Sequence, residues 1–360
     1  FYLSQGFVVA VVALLQVLPE FAIEAYLSWS GKVDLMMANA TGSVRLLIGL
    51  GWSLILFTAA ASHRIRRREG KFVLRLRPEA LVETAGFLAA MVWFLVVLAK
   101  RSLSLLDTGV LGAFYGAYML ALYRLPPEEK EGIEDLVAPA RFLAVSPEGR
   151  PRTRLVVFFF VVGGATIFAV AEPFVESLKH SAVKLGLPTF FVIQWVAPFL
   201  SEFPEKVTAF YWAQKVKLAP MALLNMVSST VNQWTLLFAM IPLVYAISPN
   251  GGGPVPIDAH HAEEILLSMA MTTYGAVVLL SRRVSVRNGL TLFLLWLAGL
   301  FFPNRYPGLP FGLSEVSSHL LTACAFGALT LFEIGRRWGE IDLRGDLRHT
   351  WALLRSSGRA

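Results

Sequence analysis

The chain has 360 residues, 56% of them hydrophobic and only 16% charged, well under the roughly 25% charged residues of a soluble domain. Its net charge of +7 gives no argument for nucleic acid, because the basic residues cluster between apolar runs as they do in cytoplasmic loops. The single cysteine, Cys324, excludes an intrachain disulfide and a cysteine metal cage, and no signal peptide is visible.

Apolar runs fall at 5–29, 33–62, 81–99, 103–124, 155–176, 187–213, 218–248, 264–281, 288–303 and 317–335. Several reach the roughly 20 residues that cross a bilayer. The fold expected is an all-α polytopic membrane protein of about ten transmembrane helices, in the cell membrane. The last run is the weakest, since it holds Ser317, Ser318, His319 and Glu333.

The loops orient the bundle. Segment 63–80 carries Arg64, Arg66, Arg67, Arg68, Lys71, Arg75 and Arg77 and is expected inside. Segment 125–153, with Glu128 to Asp135 in a mixed-charge run, falls on the same side by parity. Segment 249–263 has no Lys or Arg and falls outside, while Arg282, Arg283, Arg287 and the basic tail after Arg336 fall inside. Lys100, Arg101, Lys179 and Lys184 run against the pattern. The parity implies an external amino terminus, which a helix preceding Phe1 would fit.

Two Pro-Glu steps stand inside apolar runs: Leu18-Pro19-Glu20 and Phe203-Pro204-Glu205. A carboxylate deep in hydrocarbon is costly and marks a functional site, and a proline beside it frees backbone carbonyls. The loop charges make the two helices antiparallel, which is the signature of an inverted-topology repeat with its substrate near the midplane. Each step is followed by a small polar patch, Asn39-Ala40-Thr41-Gly42-Ser43 in one case and Asn225-Met226-Val227-Ser228-Ser229 in the other. Glu20 to Ser43 is 23 residues and Glu205 to Ser229 is 24. The helix pair 1–62 is therefore matched with 187–248. The expected organisation is a first α-repeat pair (1–62), a basic loop with two helices (63–124), a cytoplasmic loop (125–154), a helix with an outer linker (155–186), a second α-repeat pair (187–248), an external loop with C-terminal helices (249–335) and a basic tail (336–360).

These motifs resemble the cation/calcium antiporter superfamily, whose α-repeats each carry a Gly-Thr-Ser-x-Pro-Glu type motif and a Gly-Asn-x-x-Gly-Ser type motif. Here the first repeat reads Leu15-Gln16-Val17-Leu18-Pro19-Glu20 and Ala38-Asn39-Ala40-Thr41-Gly42-Ser43, and the second Leu200-Ser201-Glu202-Phe203-Pro204-Glu205 and Leu224-Asn225-Met226-Val227-Ser228-Ser229. The resemblance implies a secondary active antiporter that exchanges calcium, or another divalent cation, for sodium or protons by alternating access. The departures are Gln16, Val17 and Glu202 in the first motif, and Leu47 against Gln233 four residues after the second-motif serine. They leave the counter-ion open.

Calcium takes six to eight hard oxygen ligands. Glu20 and Glu205 are the candidate bridging carboxylates, with Ser43, Ser229, Ser201, Asn39, Asn225 and Gln16 as neutral oxygens and Glu202 as an extra acid. Glu24 lies one turn outward of Glu20. Arg45, two residues after Ser43, requires an anionic partner; Glu202 or Glu24 is expected to supply it, or else Arg45 stands in for a bound monovalent cation. Glu172 is expected on the outer access path or at the interface, Glu83 and Asp107 are expected solvated at helix ends, and His260 and His261, beside Asp258 and Glu264, in a solvated Gly/Pro loop, with a metal site there as the alternative. Trp29, Trp212 and Trp338 read as interfacial anchors. No Walker A motif and no catalytic triad are visible, so no enzyme and no cofactor is expected. The partners are the lipid bilayer and inorganic cations. The rival readings are an exchanger-like cation channel or sensor and an intramembrane enzyme.

Overall fold

In this computed structural model, described over residues 5–65, 72–78, 80–125, 150–301 and 318–356, the apolar runs become helices. The acidic run Glu128 to Asp135 and most of the basic loop after Ile65 lie outside the described residues. The helices are α1 (Gln5–Gln16) and α2 (Leu18–Trp29), α3 (Val33–Ile65), α4 (Ala80–Lys100), α5 (Leu105–Tyr123), α6 (Arg150–Lys184), α7 (Thr189–Ser201) and α8 (Phe203–Gln214), α9 (Val216–Ile247), α10 (Ala259–Leu280), α11 (Val286–Phe301), α12 (Ser318–Arg337) and α13 (Leu343–Ser356). Seven are long and apolar enough to cross a membrane, eight with α1 and α2 as one bent span. The broken pair α7–α8 and the shorter α11 complete the ten runs read from the sequence.

Each Pro-Glu run is interrupted two residues before its proline. Val17 (φ −88°, ψ 1°) and Glu202 (φ −92°, ψ 4°) leave helical geometry in the same way. Proline lacks the N–H that the preceding turn would receive, and its ring crowds the carbonyl four residues back. The axes of α1 and α2 accordingly differ by 49°. Both long helices carry a π-turn starting four residues after the motif serine, at Leu47–Trp52 in α3 and Gln233–Leu237 in α9. Such turns shift helix register locally and recur at functional sites.

The two halves interlock. α1 packs on α9 and the π-turn of α7 packs on α3, so each broken helix leans on the long helix of the other repeat. α2 packs along the end of α9, and α8 along the end of α3. Four short strands follow the same rule. β1 (Val73–Arg75) and β4 (Arg283–Ser285) pair antiparallel, as do β2 (Ser102–Leu103) and β3 (Val255–Pro256). A two-fold exchange of the halves turns one pair into the other.

This symmetry reaches helices where the sequence offers only number and orientation. Arg101 and Arg282, 181 residues apart, both take φ 54°, a left-handed conformation costing a non-glycine residue about 1–3 kcal/mol. The other half secures each one: Ile257 N–H donates to the Arg101 carbonyl and Leu76 N–H to that of Arg282, both at 2.9 Å. Ser104 and Asp107 form a capping box at the start of α5. Their mates at the same offset, Ser285 and Asn288, repeat it, with Asn288 Oδ1 accepting from the Ser285 backbone at 3.1 Å and from its hydroxyl at 2.7 Å. Asp107 is therefore fully buried rather than solvated, holding Lys100 and accepting from Trp93 Nε1 at 2.9 Å. Glu83 is also buried, and the same offset makes it the mate of Glu264.

α6 lies at the periphery, with Phe158, Phe159, Phe160, Val161 and Val162 exposed as for contact with lipid. Glu172 is exposed on the same helix. Trp29 and Trp338 are exposed near helix ends. The core lies between α3 and α9, where Gly42 meets the Gln194 backbone: a Cβ there would overlap the Gln194 carbonyl oxygen. Its mate Ser228 has room, and Tyr118 donates to its hydroxyl at 3.1 Å. We expect Gly42→Val to destabilise the protein by about 1–3 kcal/mol through overpacking, and Ser228→Ala by about 1 kcal/mol for one lost hydrogen bond. Thermal unfolding of the purified protein in detergent checks the order of the two; equal melting temperatures for Gly42→Val and the parent would refute the close contact.

Candidate cation site

The prolines stand in the first turns of α2 and α8, and the glutamates follow them into the centre of the bundle. Glu20 and Glu205 are both fully buried. Ser229 donates its hydroxyl to Glu205 Oε1, and Asn225 Nδ2 reaches the same oxygen at 3.4 Å. The same Asn225 nitrogen donates to Gln16 Oε1 at 2.9 Å, tying the second repeat to α1. Across the axis, Gln233 Nε2 donates to Glu20 Oε2 at 3.1 Å and to Glu202 Oε1 at 2.8 Å. One amide of the second repeat thus holds the carboxylate of the first beside a further acid. Glu202 interacts electrostatically with both Glu20 and Glu205.

Several buried oxygens here make no hydrogen bond among the described residues: Glu20 Oε1, Glu205 Oε2, Ser43 Oγ, Asn225 Oδ1 and Gln233 Oε1. Orphaned buried oxygens are rare in folded proteins and call for a reason. Two carboxylates and neutral hydroxyl and amide oxygens match the ligand chemistry of a hard divalent cation. Pro19 and Pro204 also leave the carbonyls of Leu15 and Leu200 without their usual N–H partner. One turn outward, Asn39 pairs with Glu24 rather than Glu20, donating at 2.7 Å and leaving Glu24 Oε1 and Asn39 Oδ1 free of hydrogen bonds among the described residues. Ser201 departs most from the expected set: its hydroxyl donates to the Pro198 carbonyl at 3.3 Å and is committed to the helix end.

Two internal cations complete the electrostatics. Lys206, directly after Glu205, is buried and ion-pairs with Glu202 one turn back on the same helix face. Glu202 is therefore balanced by a fixed ammonium. The sequence carries this signal as an i, i+4 acid–base pair inside an apolar run; the proximity of Glu205 masked it. Arg45 pairs with neither Glu202 nor Glu24. Its partner is Glu264 on α10, with both side chains almost wholly buried. Glu264 Oε2 also accepts from Thr41 Oγ1 at 3.0 Å and Gln194 Nε2 at 2.6 Å. Arg45 Nε donates to the Thr41 carbonyl at 3.2 Å, and the guanidinium stacks 5.0 Å from the Trp195 ring centre. The packing of α10 against α3 decides this partnership, and no spacing within a repeat reveals it.

The profile of the sodium/calcium exchanger protein family matches residues 3–124 and 155–303. The chain belongs to this family. A crystal structure of the H+/Ca2+ exchanger CAX superposes with a TM-score of 0.83 at 30% identity, covering 96% of this chain and 83% of that one. Structures of the sodium-calcium exchanger NCX_Mj are similar in fold. One soaked with 10 mM Na+ and zero Ca2+ has a TM-score of 0.56 at 17% identity, covering 83% of this chain and 88% of that one. Another, soaked with 100 mM Na+ and 10 mM Sr2+, has a TM-score of 0.57 at 17% identity, covering 83% and 87%. No curated protein matches the sequence. The membership makes this a multi-pass membrane transporter of the cation/calcium antiporter superfamily.

Removing one member of a buried ion pair leaves the other uncompensated, at a cost of about 3–5 kcal/mol. Arg45→Gln is expected to lower stability by that amount, and Arg45→Gln combined with Glu264→Gln to recover most of it. A double-mutant cycle on thermal unfolding in detergent reads the coupling; additive losses would mean that the pair is not formed.

Proposed function

We propose that the protein exchanges calcium for protons by alternating access, with Glu20 and Glu205 as the carboxylates that carry either cargo. The observation behind this reading is the division among the buried acids. Glu202 and Glu264 each have a permanent cation, Lys206 and Arg45. Glu20 and Glu205 have no tethered cation as ion-pair partner among the described residues: neutral side chains hydrogen-bond to each, Glu20 also lies against the Glu202 carboxyl, and Glu20 Oε1 and Glu205 Oε2 are left for a mobile ligand. Net charge in a low-dielectric interior is expensive. Two carboxylates bound to one calcium, and the same two acids protonated, both leave the pair neutral. Exchange of one calcium for two protons therefore keeps the site's charge constant through the cycle.

Protons are favoured over sodium as counter-ion by the residues around the acids. A sodium site needs several oxygen ligands, yet Val17 and Leu47 are apolar, the Ser201 hydroxyl is spent on backbone, and Glu202 is balanced by Lys206. The similarity to the H+/Ca2+ exchanger CAX, at 30% identity over nearly the whole chain, points the same way, whereas the likeness to NCX_Mj bears on fold alone.

In proteoliposomes, calcium uptake is expected to follow an opposing proton gradient and to be indifferent to sodium and to an imposed membrane potential. Uptake driven by sodium would replace the counter-ion, and calcium movement independent of any gradient would replace the antiporter by a channel. Glu20→Gln and Glu205→Gln are each expected to bring calcium flux to the protein-free background while the protein elutes as a single species. Full transport by both variants would remove the proposed site.

A further inference from the structure

The Arg45–Glu264 pair uses only one oxygen of Glu264. The other, Oε1, is buried and makes no hydrogen bond among the described residues. It faces two imidazoles, His260 Nε2 at 3.7 Å and His319 Nε2 at 3.6 Å. These residues come from the first turns of α10 and α12, two helices packed side by side. His319 is 5% exposed. Glu263, half-buried, completes the group: one nitrogen of each histidine and one Glu263 oxygen all lie within 4.8 Å of one another. The imidazole rings face each other with centres 5.9 Å apart, and the His260 ring also rests 5.5 Å from Phe190 at the start of α7.

The chemistry of this group differs from that of the cation site. Calcium takes oxygen ligands, and two imidazoles with carboxylates are the ligand set of zinc. Around a tetrahedral zinc ion with bonds near 2.0–2.1 Å, donor atoms stand about 3.4 Å apart, so small rotations of half-buried His260 and Glu263 close the group around an ion. Two protonated imidazoles here would repel each other and the nearby Arg45 guanidinium, whereas neutral imidazoles offer lone pairs to a metal.

We propose that His260, Glu263 and His319, beside Glu264 Oε1, form a zinc site at the end of the bundle where α10 begins, and that zinc bound there slows exchange. The metal would staple α10 to α12. It would sit against the carboxylate that anchors Arg45 of α3 and Gln194 of α7, the helices carrying the two repeats. The slowing rests on the antiport reading; the binding does not.

The full chain, purified in detergent without a histidine tag, is titrated with Co2+ as a spectroscopic probe and then with Zn2+. Expected are one Co2+ per chain with the visible absorption of a tetrahedral N/O site, displacement by Zn2+, and at least tenfold weaker binding in His319→Ala and in the milder Glu263→Gln. No visible band, or unchanged affinity in Glu263→Gln and a folded His319→Ala, would overturn the site. So would loss of binding in His261→Ala alone, which would move the metal to the neighbouring Asp34–Asp258–His261 group. In proteoliposomes, micromolar Zn2+ should inhibit calcium flux by the parent and not by Glu263→Gln. Equal inhibition of both would refute the slowing, and an absence of calcium flux altogether would count against the antiport reading while the Co2+ spectrum still judged the site.

Discussion

The structure depends on how charge is balanced in a medium that does not solvate it. Glu20, Glu24, Glu202, Glu205 and Glu264 are all buried in the bundle. Each ionised carboxylate there needs a counter-charge or several donors. The protein uses two solutions. Glu202 and Glu264 have covalently tethered cations, which cannot leave, so these pairs add no exchangeable charge. Glu20, Glu24 and Glu205 have neutral donors and no tethered cation as ion-pair partner among the described residues. The proposed cation site is built on acids of the second kind, which lack a resident cation.

The internal cations sit unevenly on an otherwise symmetric frame. Backbone breaks, π-turns, strand pairs, left-handed arginines and the Ser104–Asp107 and Ser285–Asn288 caps all occur twice. Yet Lys206 stands where the first repeat has Phe21, and Arg45 where the second has Val231. Each half therefore contributes one fixed positive charge at a non-equivalent position. An inverted repeat offers two related packings for the inward-open and outward-open states, and the symmetric parts of the frame are those that can exchange roles. In the proposed alternating-access cycle the unequal cations would weight the two states differently, because breaking either pair is costly.

The parts legible in the sequence were those encoded within one helix pair. Pro19 and Pro204 announced the breaks, and the Asn and Ser patches announced the partners of Glu205. Gln233 was visible as an altered ligand position, but its joint hold on Glu20 and Glu202 was not, since it spans the two repeats. Arg45 demanded an anion, and the two acids nearest in the motif pattern were the natural choices. Glu264 won because α10 packs against α3, a fact of tertiary packing that hydrophobic periodicity does not carry. Asp107 was expected solvated at a helix end and His260 and His261 in a solvated loop, yet Lys100 and Trp93 bury the first, and both histidines stand in the first turn of α10, His261 buried with Asp34 and Asp258 flanking it. The weak match of the intervening helices hid the 181-residue offset, which a search for paired Ser-x-x-Asp and Ser-x-x-Asn caps could have found.

Gln233 turns an altered ligand position into a contact between the two repeats. Its mate Leu47 offers no polar atom, so the site is reduced on one side. On the other, a single amide nitrogen bridges Glu20, which has no fixed cation, and Glu202, which has one. The amide NH2 carries two hydrogens and donates one to each carboxylate, so it holds the two acids side by side. Glu202 in turn acts electrostatically on Glu205. The two candidate carboxylates, contributed by opposite repeats, are thereby linked through one amide and one salt bridge. In the proposed exchange cycle this chain of contacts is the route by which a change of occupancy at Glu20 would be felt at Glu205.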